Sequence, residues 1–429
     1  MTARPTRHPD RDGRGRHRVA VTGLGVIAPP GATPEEAFAG VVAGRSAVRR
    51  LEAPWAARLA SPVGAVAGFD GAARHPPARL RMLDRVTQLA LAAAAAAVQD
   101  AAVDFGREDP NRCGVFLGTG MGGAATTDDG YETLYARPSA RVAPYSVLAA
   151  MNNAAAAWIG IEHGIDGPNL TFSTACSSSA VAIGEAARRI RHGEADLAIA
   201  GGTEAPLTLG VLRAWEALKT VAVADADDPS RSCRPFSRSR SGLVLGEGAA
   251  CVILESFAHA RARGATWHAE LAGYGLATDR LHIARPSVEG QAAAMRAALA
   301  DAALDGSAID YVNAHGTGTT QNDAVETAAL KAVFGARAPA LPVSSTKAVH
   351  GHLLGAAGAL EFLLTVLALR HDTVPPTMHL DLPDPDCDLD YVSDGARRGL
   401  GLRAAMSSSF AFGGTNAVLV ARRGTATRC

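Results

Sequence analysis

Cys176 stands in "LTFSTACSSSAVAIGEAARRI", where an apolar, strand-like run gives way to a helical pattern. A cysteine at such a turn faces unpaired backbone N–H groups and the positive end of a helix dipole, and both favour a thiolate. The same turn can direct amides at a developing oxyanion, so the position suits a nucleophile that accepts an acyl group. A small buried cysteine without chemistry is the competing reading. Two further segments bear on the choice. "YVNAHGTGTTQNDAVE" places His315 directly after a strand pattern, and "SSTKAVHGHLLGAAGALE" places Lys347, His350 and His352 at another strand-to-helix junction. A single histidine beside glycine is commonly structural. Two of them at equivalent strand ends, opposite a nucleophilic turn, form a catalytic constellation.

Other chemistries fit these segments less well. His350 and His352 lie two residues apart, a spacing that converges on a metal only outside a helix, and no acidic or thiol partner accompanies them at ligand spacing. "GTGMGG" lacks the Gly-Lys-Ser/Thr of a phosphate loop, no GxGxxG opens a strand–helix–strand unit, and "TACSSS" is not the GxSxG of a serine hydrolase. No metal is expected.

The elements that must position these residues alternate. "RVAVTGLGVIAP", "CGVFLGTG", "NLTFSTA" and "ADLAIAGGTEA" read as strands separated by helical stretches, and "ELAGYGLA", "IDYVNAHG", "LPVSSTK" and "RAAMSSSFAFGGTNAVLVA" repeat the rhythm. Such alternation predicts an α/β fold with mostly parallel sheets covered on both faces. The Cys176 segment and the Lys347–His352 segment also echo each other as strand, small-residue turn and helix, each followed by a strand leading to Gly-Gly-Thr. A boundary near residue 262 would then divide the chain into related halves, 18–262 and 263–429, after a loose basic tail over 1–17.

Composition narrows the class. The 429 residues carry 42 Lys plus Arg against 42 Asp plus Glu, which offers no basic field for nucleic acid and no polybasic membrane patch. The six cysteines form no CxxC, consistent with a reducing cytoplasm. The N-terminal stretch has no apolar core of a secretory signal. "LLGAAGALEFLLTVLAL" is the most membrane-like segment, but it is short and carries Glu361 in its middle, so a buried helix is expected. Glu361 there either pairs with Lys347 or lies on a narrow exposed stripe.

At these residues the sequence resembles the β-ketoacyl-acyl carrier protein synthases of the thiolase superfamily, the elongating condensing enzymes of type II fatty acid and polyketide synthesis. "STACSSS" resembles the nucleophile motif, "NAHGTGTTQND" the first histidine motif and "SSTKAVHGHLLGAAGALE" the lysine and second histidine motif; "RPFSRSRSGLVLGEGAA" and "SSFAFGGTNAVLV" are similar to two further blocks. The resemblance implies a five-layered αβαβα thiolase-like fold of two duplicated halves. It implies Cys176 as acyl acceptor, His315 and His352 as the pair that promotes decarboxylation of a malonyl thioester, and Lys347 as organiser of the second histidine motif, bonded to Glu361. By the same resemblance the amides of Cys176 and Phe412 form the oxyanion hole, Thr317 and Thr319 hold the phosphopantetheine arm, and Asp323 and Glu326 support the histidine loop. Phe412 would gate the acyl site, Gly413 and Gly414 would allow its turn, and Met121 would limit chain depth at a dimer contact. His350 receives no chemical role. The implied partners are an acyl carrier protein and a second subunit, identical or a ketosynthase-like chain-length partner, with no cofactor.

Two departures from the family pattern stand out. Phe236 is followed by Ser237, and Ser241 precedes Gly242, where the family often has acids. "DRLHIARP" has Ala284 in place of threonine, with Arg285 beside it. Both point to a specialised polyketide, polyene or unusual fatty acid pathway. Arg285, with Arg238 and Arg240, is a candidate for meeting the carrier's phosphate or an acidic helix. An acyltransferase without decarboxylation, or a noncatalytic partner on the same fold, is the alternative.

Overall fold

The computed structural model describes residues 9–136 and 141–424. Its main sheet has ten strands: β1 (Val19–Ile27), β2 (Cys113–Gly118), β3 (Asn169–Phe172), β4 (Leu197–Glu204), β5 (Gly248–Ser256), β6 (Ala269–Thr278), β7 (Tyr311–Asn313), β8 (Val343–Ser344), β9 (Ala404–Phe410) and β10 (Thr415–Arg423). Their spatial order is β8-β7-β9-β10-β6-β1-β5-β4-β2-β3. Numbered within its own half, each set of five runs 1-5-4-2-3 outward from the centre. Each set also has the same two antiparallel pairings followed by two parallel ones. The halves join where β1 meets β6 through Ala20–Glu270 and Val21–Ala269.

Five helices matter to the site: α1 (Arg85–Ala101), α2 (Ser178–Arg191), α3 (Val288–Asp301), α4 (Asn322–Phe334) and α5 (Ala357–His371). The two sheet halves bury α2 and α5 between them, with α1 on one outer face and α3 and α4 on the other. This is the αβαβα layering. Strand alternation shows it directly: Ala250, Val252 and Leu254 of β5 enter the central core, while Ala249, Cys251 and Ile253 face α1. A strand apolar on both faces has to be covered on both.

The alanine-rich helix finds its neighbour in β1. A Cβ on Gly23 would lie 2.2 Å from the Ala97 carbonyl oxygen, and one on Gly25 would lie 2.1 Å from that of Ala93. The second half repeats the device, with Gly273 and Gly275 against the Ala298 and Ala294 carbonyls at 2.3 and 2.0 Å. Gly-x-Gly on a strand and Ala-rich helix seal these layers at backbone distance. α5 is apolar nearly all round and therefore central; the segment Leu354–His371 is long and apolar enough to cross a membrane but lies 89% buried inside the protein. It crosses α2 at small residues, where the Ala359 N–H donates to Ser179 Oγ at 2.8 Å.

Several expectations need correcting. The sheet is mixed rather than mostly parallel: within each half two of the four pairings are antiparallel, in the first half those of β5 with β1 and β4, in the second because "RAAMSSSFAFGGTNAVLVA" is two strands joined by a hairpin at Gly413-Gly414. β5 was not foreseen, since "GEGAACVILESFAHARA" runs from strand into helix without a break. The two Gly-Gly-Thr stretches are not equivalent: Gly201 and Gly202 lie within β4, whereas Gly413 and Gly414 follow β9. Of the stretch expected as a loose tail, residues 1–8 lie outside the described residues. Arg16 is bonded to Asp12 and Asp301, and the Arg18 main chain returns to Asp10.

Candidate active site

Cys176 sits in a 3-10 turn, Ala175–Ser177, that leads straight into α2. Ala175 has φ +50, a left-handed conformation that costs a non-glycine residue and is held here by its surroundings. The serines explain how. Ser178 Oγ donates to the Ala175 carbonyl at 2.6 Å and accepts from the Thr174 N–H at 2.9 Å, while Ser177 Oγ donates to the Thr174 carbonyl at 2.9 Å. The serine run thus braces the turn that presents Cys176.

The thiol is 3% exposed. Burial pushes it up to about 12, against the opposing pull of the Lys347 charge and of the Phe412 main-chain N–H, which hydrogen-bonds the sulfur. The resting group is therefore a thiol. Its position at the start of α2 adds the dipole's preference for negative charge when the proton leaves.

His315 follows β7 and His352 follows the short helix Lys347–His350. Their rings are 5.3 Å apart and nearly perpendicular, and donor atoms of Cys176, His315 and His352 lie within 4.8 Å of one another. Burial, with the Lys347 charge second, holds both histidines well below their ordinary value, so both are neutral. Their tautomers follow from their neighbours. The Leu354 N–H donates to His352 Nδ1 at 3.3 Å, and Lys347 Nζ, which can only donate, faces His315 Nδ1 at 3.4 Å. Each Nε2 then carries the proton. His352 Nε2 is buried and has no hydrogen-bond partner among the described residues.

Behind the histidines lies a fully buried ion pair. Lys347 bonds Glu361 of α5 and donates to the His315 carbonyl at 2.6 Å. Neither is exposed, which decides the alternative in favour of pairing. Burial raises Glu361 to about 7, with Lys347 opposing. The histidine loop is braced from α4: Glu326 accepts from the His315 and Gly316 N–H groups, both at 2.8 Å, and Asp323 accepts from Phe236 at 2.8 Å and Gly318 at 3.1 Å. Burial raises Glu326 to about 7.

A cavity of about 240 Å³ connects this group to the surface. Cys176, His315 and His352 lie on it with Phe412, Thr317 and Thr319, and the two threonine hydroxyls are 2.9 Å apart. Lys219 and Arg285, both exposed, also line it. The chain has only three lysines, and one of them is at this lip.

Comparison with known proteins places the chain in a family. The beta-ketoacyl synthase N-terminal domain model matches residues 16–260, and the beta-ketoacyl synthase C-terminal domain model matches 268–381. The chain belongs to the beta-ketoacyl synthase family. This beta-ketoacyl synthase is 40% identical over 414 residues to the 3-oxoacyl-[acyl-carrier-protein] synthase 2 of Coxiella burnetii, covering 95% of this chain and 99% of that one. It is 42% identical over 402 residues to nodulation protein E of Rhizobium meliloti, covering 94% and 98%. Among solved structures, the ishigamide ketosynthase/chain length factor superposes with a TM-score of 0.87 at 33% identity, covering 95% of this chain and 100% of that one.

Four of the expected residues, Met121, Gly413, Gly414 and Arg240, do not line this cavity. Met121 is 40% exposed and does not line this cavity; its N–H donates to Glu204 at 2.9 Å. Gly413 and Gly414 also stay off the wall and instead make the hairpin turn, with φ +85 and +79. His350 is buried and occupied by Thr346 Oγ1 and the Gly351 carbonyl. Arg240 is buried against Asp384 and loop carbonyls, so of the three arginines only Arg238 and Arg285 are exposed.

Glu204 was not foreseen. At the end of β4 it accepts from the N–H groups of Gly120, Met121 and Gly355 at 2.7–2.9 Å and from the Thr119 hydroxyl at 3.1 Å. Burial raises it to about 7. A single acid closing an otherwise uncharged strand, "LAIAGGTE", was the available signal.

Proposed function

We propose that this synthase condenses an acyl group held on Cys176 with malonyl-acyl carrier protein, releasing carbon dioxide and a 3-oxoacyl-acyl carrier protein. One observation carries the reading: two neutral histidines with Nε2–H donors converge beside a buried thiol on a single cavity. Cys176 exchanges its proton for the acyl group of a carrier thioester, releasing the carrier thiol. The amides of Cys176 and Phe412 hold the oxyanion; in the resting site the Phe412 N–H is already turned to the sulfur.

Malonyl-carrier then enters with its thioester oxygen toward the two Nε2–H groups. The C–CO₂ bond breaks, and its electron pair becomes an enolate that neutral imidazoles stabilise without readily protonating it. The enolate carbon attacks the Cys176 thioester, and the cysteine leaves as a thiolate that takes a proton from solvent. Lys347, balanced by Glu361, fixes His315 and keeps it neutral through its charge. Asp323 and Glu326 hold the loop, and Thr317 and Thr319 bind the phosphopantetheine arm. Arg285, with Lys219, receives its phosphate at the lip.

The halves 18–262 and 263–429 supply the nucleophile and the histidines respectively, and the repeated strand order supports that division. The edge strand β3, with Leu170 exposed on it, and the exposed Tyr131 and Tyr135 of the helix Ala124–Ala136 suit a second subunit, identical or a chain-length partner of the kind in the ishigamide structure. Met121 belongs to that contact. The five described cysteines are free and buried, in keeping with a reducing cytoplasm. Ala284 and Arg285 at the lip, with the nodulation and ishigamide relatives, favour a specialised acyl product.

Intact-protein mass spectrometry tests the reading. Acyl mass should appear on Cys176 from acyl-carrier, and malonyl-carrier should then remove it as a 3-oxo product two carbons longer. Acylation without that product would make the chain an acyltransferase.

A further inference from the structure

The space around Cys176 is unevenly filled. On one side is the cavity with His315 and His352. On the other, Cys176 belongs to an apolar cluster with Leu59, Leu212, Leu245 and Leu354, each less than a tenth exposed, while two further members, Leu243 and Ala411, also line the cavity. Phe412 stands at the junction. Its N–H meets the thiol, it is half-buried, it lines the cavity, and the two positive-φ glycines after it allow its turn to move. A long acyl group on the sulfur must lie along the cavity, where the second carrier arm enters, or displace this ring.

A second aromatic residue holds Phe412 in place. Trp215 comes from the separate helix Leu209–Ala217, and its ring packs tilted on Phe412 with centroids 5.9 Å apart. It is half-buried in the same apolar cluster as Cys176, and the residues just after its helix, Leu218 and Lys219, form part of the cavity lip. Trp215 therefore touches the one wall of the site that has to give way, without itself reaching the reacting atoms.

We propose that Trp215 is a specificity-determining positioning residue that clamps Phe412 beside Cys176 and so sets how readily the thiol accepts long acyl chains. This rests on Cys176 being the acyl acceptor. An aromatic contact of this kind biases a two-position ring by about two- to tenfold. Releasing it should speed acylation by long chains and leave acetyl transfer, which needs little room, unchanged.

The test compares wild type, Trp215→Leu and Trp215→Phe by intact mass, using acetyl-, hexanoyl- and decanoyl-carrier. Trp215→Leu should raise the decanoyl-to-acetyl ratio of initial rates by about two- to tenfold, and Trp215→Phe should keep the wild-type ratio. Tryptophan emission of the wild type should change on decanoylation, and that change should vanish in Trp215→Phe. Equal ratios in all three proteins, or an equal slowing at every chain length, would overturn the clamp while leaving Cys176 as acceptor. A wild type that gains no acyl mass from any carrier would overturn both.

Discussion

The two halves of this synthase build the same turn and fill it differently. In the first half, Ala175 at φ +50 enters a 3-10 turn that runs into α2; in the second, Leu354 at φ +44 enters one that runs into α5. The turns touch each other at the centre of the molecule. Position by position, Cys176 of the first corresponds to Gly355 of the second, whose N–H is taken by Glu204 at 2.8 Å. One turn therefore offers a nucleophile, while its counterpart is tied down and leaves the chemistry to His352 just before it. The helices differ as well. α2 carries the exposed Arg188 and Arg189 in its last turn, whereas α5 is buried almost throughout and spends its single acid on Lys347. Duplicated backbone supplies positioning, and a few side chains divide acyl transfer from decarboxylation.

That division can be broken one half at a time. The largest effect is expected from Cys176→Ala, which removes the only acyl acceptor: acyl mass should disappear while carbon dioxide release from malonyl-carrier persists. His352→Ala should do the reverse, lowering decarboxylation by about 10²–10³-fold, as for loss of one oxyanion donor, while Cys176 still gains acyl mass.

Lys347→Ala leaves Glu361 buried without its cation and should cost about 3–5 kcal/mol in denaturant unfolding. The double variant Lys347→Met/Glu361→Leu should recover most of that stability without recovering decarboxylation, which separates support of the fold from support of His315.

A pH series sharpens the comparison further. Because the folded-state values of His315 and His352 are depressed, their neutral forms persist below the ordinary histidine range, and decarboxylation should stay flat from about pH 8 to about pH 6. A midpoint near 6.5 would contradict it. The same shifts contribute stability that is present above the unfolded histidine value and lost as pH falls through the folded ones; His350, lowered to about 3 by burial, adds to that loss. The smallest effect belongs to the lip: Arg285→Ala should raise the KM for carrier-borne substrate several-fold, with kcat held.

Much of this was legible in the sequence because the site is built from contiguous motifs. Cys176, His315, Lys347 and His352 each sit at a strand-to-helix junction that local pattern reveals, and Glu361 betrays itself as the lone acid of an apolar helix. What escaped depends on contacts far apart in the chain. Glu204 matters only because β4 ends beside Gly120 and Gly355; Trp215 matters only because its helix meets the Phe412 hairpin. The histidine tautomers follow from a lysine and a backbone N–H whose positions no spacing discloses. Arg240 looked like a carrier contact until its burial against Asp384, 144 residues away, came into view. Gly413 and Gly414 make the turn after Phe412 as expected but do not themselves line the cavity.

The most direct test of the division of labour measures carbon dioxide release and acyl mass together for Cys176→Ala and His352→Ala, each confirmed folded. The prediction is a crossed result: release without acylation in the first variant, acylation without appreciable release in the second. Loss of both activities in either variant would contradict it, since acyl transfer and decarboxylation would then depend on one undivided site.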